Sequence, residues 1–140
     1  MTIHSKAFHE AHRRISEGTE ELRCVAQTFP SLSMAERECA REEILEFLDQ
    51  IVVPHMWLDE HQLYPEVTLR FGQPLITSSM NYDHLAIRRW VAEIRDADVG
   101  DSDLLQQLLY GLDALICVHL WKEDALFLDP VESNSWPSSC

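Results

Sequence analysis

The chain has 140 residues, a formal net charge of −13 and 46% apolar residues. That composition fits one folded domain with a core, and it excludes a disordered chain and a nucleic-acid partner. No unbroken run of about 18 apolar residues offers a membrane span and no secretory leader is visible. The scattered cysteines Cys24, Cys39, Cys117 and Cys140 fit reduced thiols in a cytoplasmic protein.

Only four glycines, and β-branched residues that do not alternate, predict an all-α chain. The first helix is expected from about Ser5 to Thr28, before Phe29-Pro30, with a seam of Phe8, His12, Ile15, Thr19, Leu22 and Ala26 stepping by three and four. His9 falls one position off that seam and is expected in solvent. Ser33 and Glu36 form a capping box that opens the second helix, whose seam reads Ile44, Leu48, Ile51, His55, Asp59 and Gln62. Pro54 lies inside it and predicts a kink just before His55. Regular helix is expected to stop near Pro65, and residues 66–78 read as a loop.

The third helix is expected from about Ser79 to Arg95, with seam Met80, His84, Ile87, Val91 and Ile94. Asp101 or Ser102 caps the fourth, whose seam is Leu105, Leu109, Leu112, Ile116, His119, Glu123 and Leu126. Four helices in a row predict an up-down-up-down four-helix bundle over residues 1–130. The polar stretch 131–140 reads as a short flexible tail.

Two segments carry the chemistry. Pro54-His55-Met56-Trp57-Leu58-Asp59-Glu60 reappears, altered, as Val118-His119-Leu120-Trp121-Lys122-Glu123-Asp124. Residues four apart stack on one helical face, so each segment presents an imidazole and a carboxylate to one point. His12 and His84 add one imidazole from each remaining helix, and a rise of about 1.5 Å per residue brings all four histidines into one slab. Left unligated, such a layer buries several titratable groups without partners. The set His12, His55, Asp59, His84, His119 and Glu123 suits two cations bridged by carboxylates better than one tetrahedral zinc. Trp57 and Trp121 recur at matching places and are expected to wedge between helices. Tyr64 is expected to orient a ligand, and Cys117 reads as a packing residue.

His12 in Glu-Ala-His-Arg-Arg-Ile, His55-x-x-x-Asp59 before Leu63-Tyr64-Pro65, His84 in Tyr-Asp-His-Leu-Ala-Ile-Arg, and His119-x-x-x-Glu123 resemble the hemerythrin-like HHE cation-binding domain. The resemblance covers residues 5–130. It implies two non-haem iron ions held by those six residues, with the acids and an oxo or hydroxo group as bridges. It further implies a small ligand, O2, NO or peroxide, at an open iron position. The outcomes it suggests are carriage, sensing, peroxide decomposition or iron donation for cluster repair, in a monomer or weak homodimer.

Two departures from the family pattern stand out. Asp59 occupies a place usually held by Glu, which makes Glu60 an alternative ligand. Arg88 occupies the place of a further histidine in the oxygen carriers, and turned inward it could pair with a bridging acid. Asp124 matches the carriers' last acid. A different class of reading is a metal-free or mononuclear four-helix interaction module.

Overall fold

The computed structural model describes residues 5–132, and among them there is no strand. Four long helices account for the fold. Helix α1 (Ser5–Thr28) buries Phe8, His12, Ile15, Thr19, Leu22 and Ala26, the stripe expected from its sequence. A 3-10 turn at Phe29–Ser31 carries Pro30 and ends it. Helix α2 spans 34–71, helix α3 is Ser78–Asp96, and helix α4 spans 102–132.

Local chemistry explains the starts. At α2, Ser33 Oγ accepts from the Glu36 N–H at 3.2 Å and Glu36 Oε2 accepts from the Ser33 N–H at 2.7 Å. Two backbone donors at the helix start are satisfied reciprocally. At α4, Asp101 Oδ1 accepts from the Leu104 N–H at 3.1 Å. The Arg37 guanidinium donates to the carbonyls of Phe29, Pro30 and Val99, tying the α1–α2 and α3–α4 connections together at one end.

Three π turns interrupt the long helices: Leu48–Val52 and Asp59–Leu63 in α2, and Asp124–Leu128 in α4. Each closes with an N–H reaching five residues back, from Val53 to Leu48, from Tyr64 to Asp59 and from Asp129 to Asp124. The residue after each closing N–H is a proline: Pro54, Pro65 and Pro130. Proline has no N–H and its ring collides with the carbonyl four residues earlier. The wider turn gives that ring room, so the helix continues rather than ends.

This arrangement corrects several expectations at once. Helix α2 passes Pro65 and runs to Phe71, where Gly72 at φ 64° caps it in the left-handed conformation. Only 72–77 is non-helical where a loop over 66–78 was expected. A π turn also adds one residue to a turn, so the buried stripe advances by one position. Val52 and Leu63 are buried where Ile51 and Gln62 were expected; Ile51 is half-buried and Gln62 exposed. In α4, Phe127 is buried and Leu126 is 52% exposed. Trp57 and Trp121 lie off the stripe and do not wedge between helices: they are 52% and 67% exposed. Trp57 instead stacks on the His61 ring at 4.1 Å.

The apolar core is divided. One cluster runs through Ile15, Leu22, Leu48, Val52, Ile87, Ile94, Leu109 and Ile116. The other joins Phe8, Leu63, Tyr64, Val67, Met80, Phe127 and Leu128. The second cluster draws on the start of α1, the end of α2, the start of α3 and the end of α4, which is the signature of up-down-up-down order. Along every helix the buried histidines, with Asp59 and Glu123, fall between the two clusters, whereas Asp113 lies within the first. By length and mean hydropathy alone, Ser102–Leu128 is long and apolar enough to cross a membrane, although polar residues interrupt it. Its buried stripe carries Asp113, His119 and Glu123, so its apolarity serves the core of the bundle.

Candidate metal centre

All six residues singled out from the sequence meet in the layer between the two clusters, and each is at most 5% exposed. Asp59 Oδ1 lies 3.4 Å from His55 Nε2, and Asp59 Oδ2 lies 3.5 Å from His84 Nε2. Glu123 Oε2 is 3.1 Å from His12 Nε2 and 3.9 Å from His55 Nε2. Its Oε1 is 2.6 Å from His119 Nε2 and 4.0 Å from His84 Nε2. Each carboxylate thus turns one oxygen toward the His12–His55 pair and the other toward the His84–His119 pair. Two four-residue groups result, sharing Asp59 and Glu123, and within each the ligand atoms lie no more than 4.8 Å apart.

The surrounding acids decide which nitrogen faces inward. Asp124 Oδ1 accepts from His12 Nδ1 at 2.8 Å, Glu60 Oε1 from His84 Nδ1 at 2.7 Å, and Asp83 Oδ2 from His119 Nδ1 at 2.9 Å. An Nδ1 proton held by a carboxylate leaves the lone pair on Nε2, the ligating arrangement for a metal-bound histidine. Glu60 is bound by Arg88 at 2.9 and 3.2 Å, and Asp83 by Lys122 at 2.5 Å. Although burial works the other way, Arg88 with His84 holds Glu60 below the usual carboxylate range, and Lys122 with His119 does the same for Asp83.

The geometry bears on three points that the sequence left open. Glu60 meets Arg88 and the Nδ1 of His84. Asp124 meets the outer nitrogen of His12. Arg88 pairs with Glu60 and not with a carboxylate of the inner set. His9, expected in solvent, is about a third exposed and stands 3.3 Å from Asp124 Oδ1. Tyr64 sits further in than expected: its hydroxyl donates to Glu123 Oε1 at 2.7 Å and lies 3.1 and 3.4 Å from the Nε2 atoms of His84 and His119. Cys117 is exposed and not a packing residue; its thiol lies 3.6 Å from Asp113 and from Thr19.

Without a cation the layer is poorly satisfied. His12 Nε2, both nitrogens of His55, both oxygens of Asp59 and Glu123 Oε2 are buried with no hydrogen-bond partner. His84 Nε2 and His119 Nε2 face each other at 2.9 Å, and with both Nδ1 protons committed to acids those are two opposed lone pairs. Orphaned buried polar atoms are costly, and a cation among them satisfies them together.

The ionisation pattern agrees. Burial, then the charge of Glu123, raises Asp59 well above the usual range. Glu123 stays well below it because the adjoining His119 and His12 rings outweigh burial. Burial pushes His55 down to about 4 and, with the neighbouring His119, lowers His84. The neutral His55 and His84 and the ionised Glu123 are donors suited to a divalent metal, whereas His12 is raised by Glu123 and Asp124 and, like Asp59, has a proton to give up when a cation binds.

Sequence reasoning passed over Asp83 and weighed Glu60 and Asp124 only as ligands. Glu60, Asp83 and Asp124 each follow or precede a ligand directly, but each serves a histidine on another helix. The adjacency was visible, whereas the partner depends on helix packing.

Neither a curated protein nor a solved structure matches the chain. The family model described as the hemerythrin HHE cation-binding domain matches residues 4–130. With nearly its whole length matched and a buried cluster of histidines and carboxylates at its core, the chain belongs to the hemerythrin HHE cation-binding domain family.

Proposed function

We propose that this domain holds two non-haem iron ions and uses them to bind O2, NO or peroxide. The observation that carries the reading is the division of both Asp59 and Glu123 between two histidine pairs. His12 and His55 would hold one ion, His84 and His119 the other, and the two acids would serve both. Imidazole and carboxylate from facing helices of a bundle are the ligand set of carboxylate-bridged di-iron proteins. Bound there, iron supplies reversible binding of a diatomic ligand or redox chemistry with peroxide.

The remaining work falls to the chain. Asp124, Glu60 and Asp83 hold the Nδ1 protons, fixing each ring and raising the basicity of Nε2. Arg88 and Lys122 keep two of these acids ionised and in place. The two apolar clusters exclude bulk water from above and below the layer. Tyr64 offers a hydroxyl proton at Glu123 Oε1, within reach of whatever enters beside His84 and His119. The test is to load the protein anaerobically with Fe(II), confirm its metal content, and add NO, O2 and peroxide separately. The expected result is a ligand-dependent optical spectrum with at least one of them. A stable oxygen-dependent spectrum assigns carriage or sensing, and O2 evolution from peroxide assigns an enzyme. A loaded protein whose spectrum none of the three changes contradicts the reading.

A further inference from the structure

Three of the four histidines are fixed from behind by a carboxylate: His12 by Asp124, His84 by Glu60 and His119 by Asp83. His55 differs. Both of its nitrogens are buried without a hydrogen-bond partner, although the residue is only 5% exposed. The same residue forms part of the wall of a cavity of about 190 Å3 between α1 and α2, together with Ala11, Arg14, Ile51, Pro54 and Leu58. Arg14, Pro54 and Leu58 are exposed, whereas Ala11 and Ile51 are half-buried, so the cavity runs from solvent down to the ring. Its α2 wall is the segment where the π turn Leu48–Val52 gives way to Pro54.

We propose that small ligands reach the metal layer through this α1–α2 cleft, with the unpinned His55 as its inner wall. The proposal rests on the two-metal reading and adds the side from which the centre is approached. Arg88 stands at another face, where the family's oxygen carriers have a further histidine. There, Arg88 is tied to Glu60, which is itself bound to His84, so that face is closed by a chain of hydrogen bonds. At the cleft nothing comparable holds His55. A cavity of about 150 Å3 accepts a six-carbon ring, so this one is roomy enough for azide, peroxide or a diatomic molecule. Arg14 places a positive charge at the mouth of a chain whose net charge is −13, favouring small anions over cations on this path.

The experiment uses the full chain and two plugging variants from opposite walls, Ala11→Phe and Ile51→Trp, with Leu85→Phe on exposed α3 surface as a control of similar kind. Azide binding to the iron-loaded proteins is followed by stopped-flow absorbance, alongside iron content. In metal-free protein, xenon-dependent shifts of the Ala11, Ile51 and Leu58 methyl resonances report on the cavity. Expected are xenon shifts in the wild type and azide association slowed by about tenfold or more in at least one plugged variant, with iron content unchanged and the control at the wild-type rate. If both plugged variants keep their iron and bind azide at the wild-type rate, the route is overturned and the two-metal reading stands. A wild type that takes up no iron overturns both. The xenon shifts then still report whether the cavity is open.

Discussion

Glu123→Ala is expected to empty both metal positions together. Its two oxygens face different histidine pairs, at 3.1 Å from His12 Nε2 and 2.6 Å from His119 Nε2. One truncation thus removes a ligand atom from each position. Changing an outer partner of a ligating histidine weakens metal binding by about 10–100-fold, and losing a shared ligand should exceed that. Asp124→Asn supplies the comparison: among the six inner residues it touches only His12, at Nδ1, its other neighbour being His9, and it is expected to weaken binding within that range while both positions still fill at high metal concentration. Metal-free Glu123→Ala should also lose about 1–3 kcal/mol of stability, because the buried Tyr64 hydroxyl loses its acceptor. Iron content after gel filtration, with circular dichroism as the check on folding, decides the matter. A folded Glu123→Ala protein that keeps one full equivalent would mean that the two positions are independent.

Removing the metal is expected to leave a folded but weaker and acid-sensitive protein. At a free metal concentration about 100 times Kd, ligation of the folded state adds about 2.7 kcal/mol. For a domain of this size that corresponds to about 10 °C in the thermal midpoint. The acid sensitivity comes through His55, which burial holds at about 4 against an ordinary 6.5. Between those values the unfolded chain binds a proton that the folded chain does not. Stability from this residue is therefore complete above 6.5 and is lost as pH falls toward 4, by about 3 kcal/mol at most.

His12 acts in the opposite sense. Burial alone would lower it, but Glu123 and Asp124 outweigh burial and raise it, so its contribution is present at low pH and fades as pH rises through its folded value. Comparing metal-free wild type with His55→Gln isolates the first effect. Denaturant unfolding from pH 7 to pH 4 should show the wild type losing its advantage over the variant. A difference that stays constant across this range would contradict the burial of a neutral His55.

The helices and the six inner residues were legible because both follow from a 3.6-residue period. Phe8, His12, Ile15, Thr19, Leu22 and Ala26 were read from steps of three and four, and all are buried. The errors in α2 and α4 share one physical source. Pro54, Pro65 and Pro130 were read as kinks or ends, whereas the chain widens one turn before each and continues. A stripe extrapolated across a π turn lands one residue short, on Ile51 for Val52, Gln62 for Leu63 and Leu126 for Phe127. His55 and Asp59 were nevertheless correct together, because the α-helical turn Val53–Leu58 carries His55 up to Asp59, where the next π turn only begins. His119 and Glu123 likewise precede the π turn of α4. The outer acids were not legible, since which histidine each one meets depends on how the helices pack.

The central claim is that two metal ions share Asp59 and Glu123, and an anaerobic Fe(II) titration of metal-free protein tests it most directly. The account predicts saturation at two equivalents per chain, one for each four-residue group. Both should be lost in Glu123→Ala, with Mössbauer spectra of the oxidised protein showing magnetically coupled ions. Saturation at one equivalent, or no uptake by a folded chain, would contradict it.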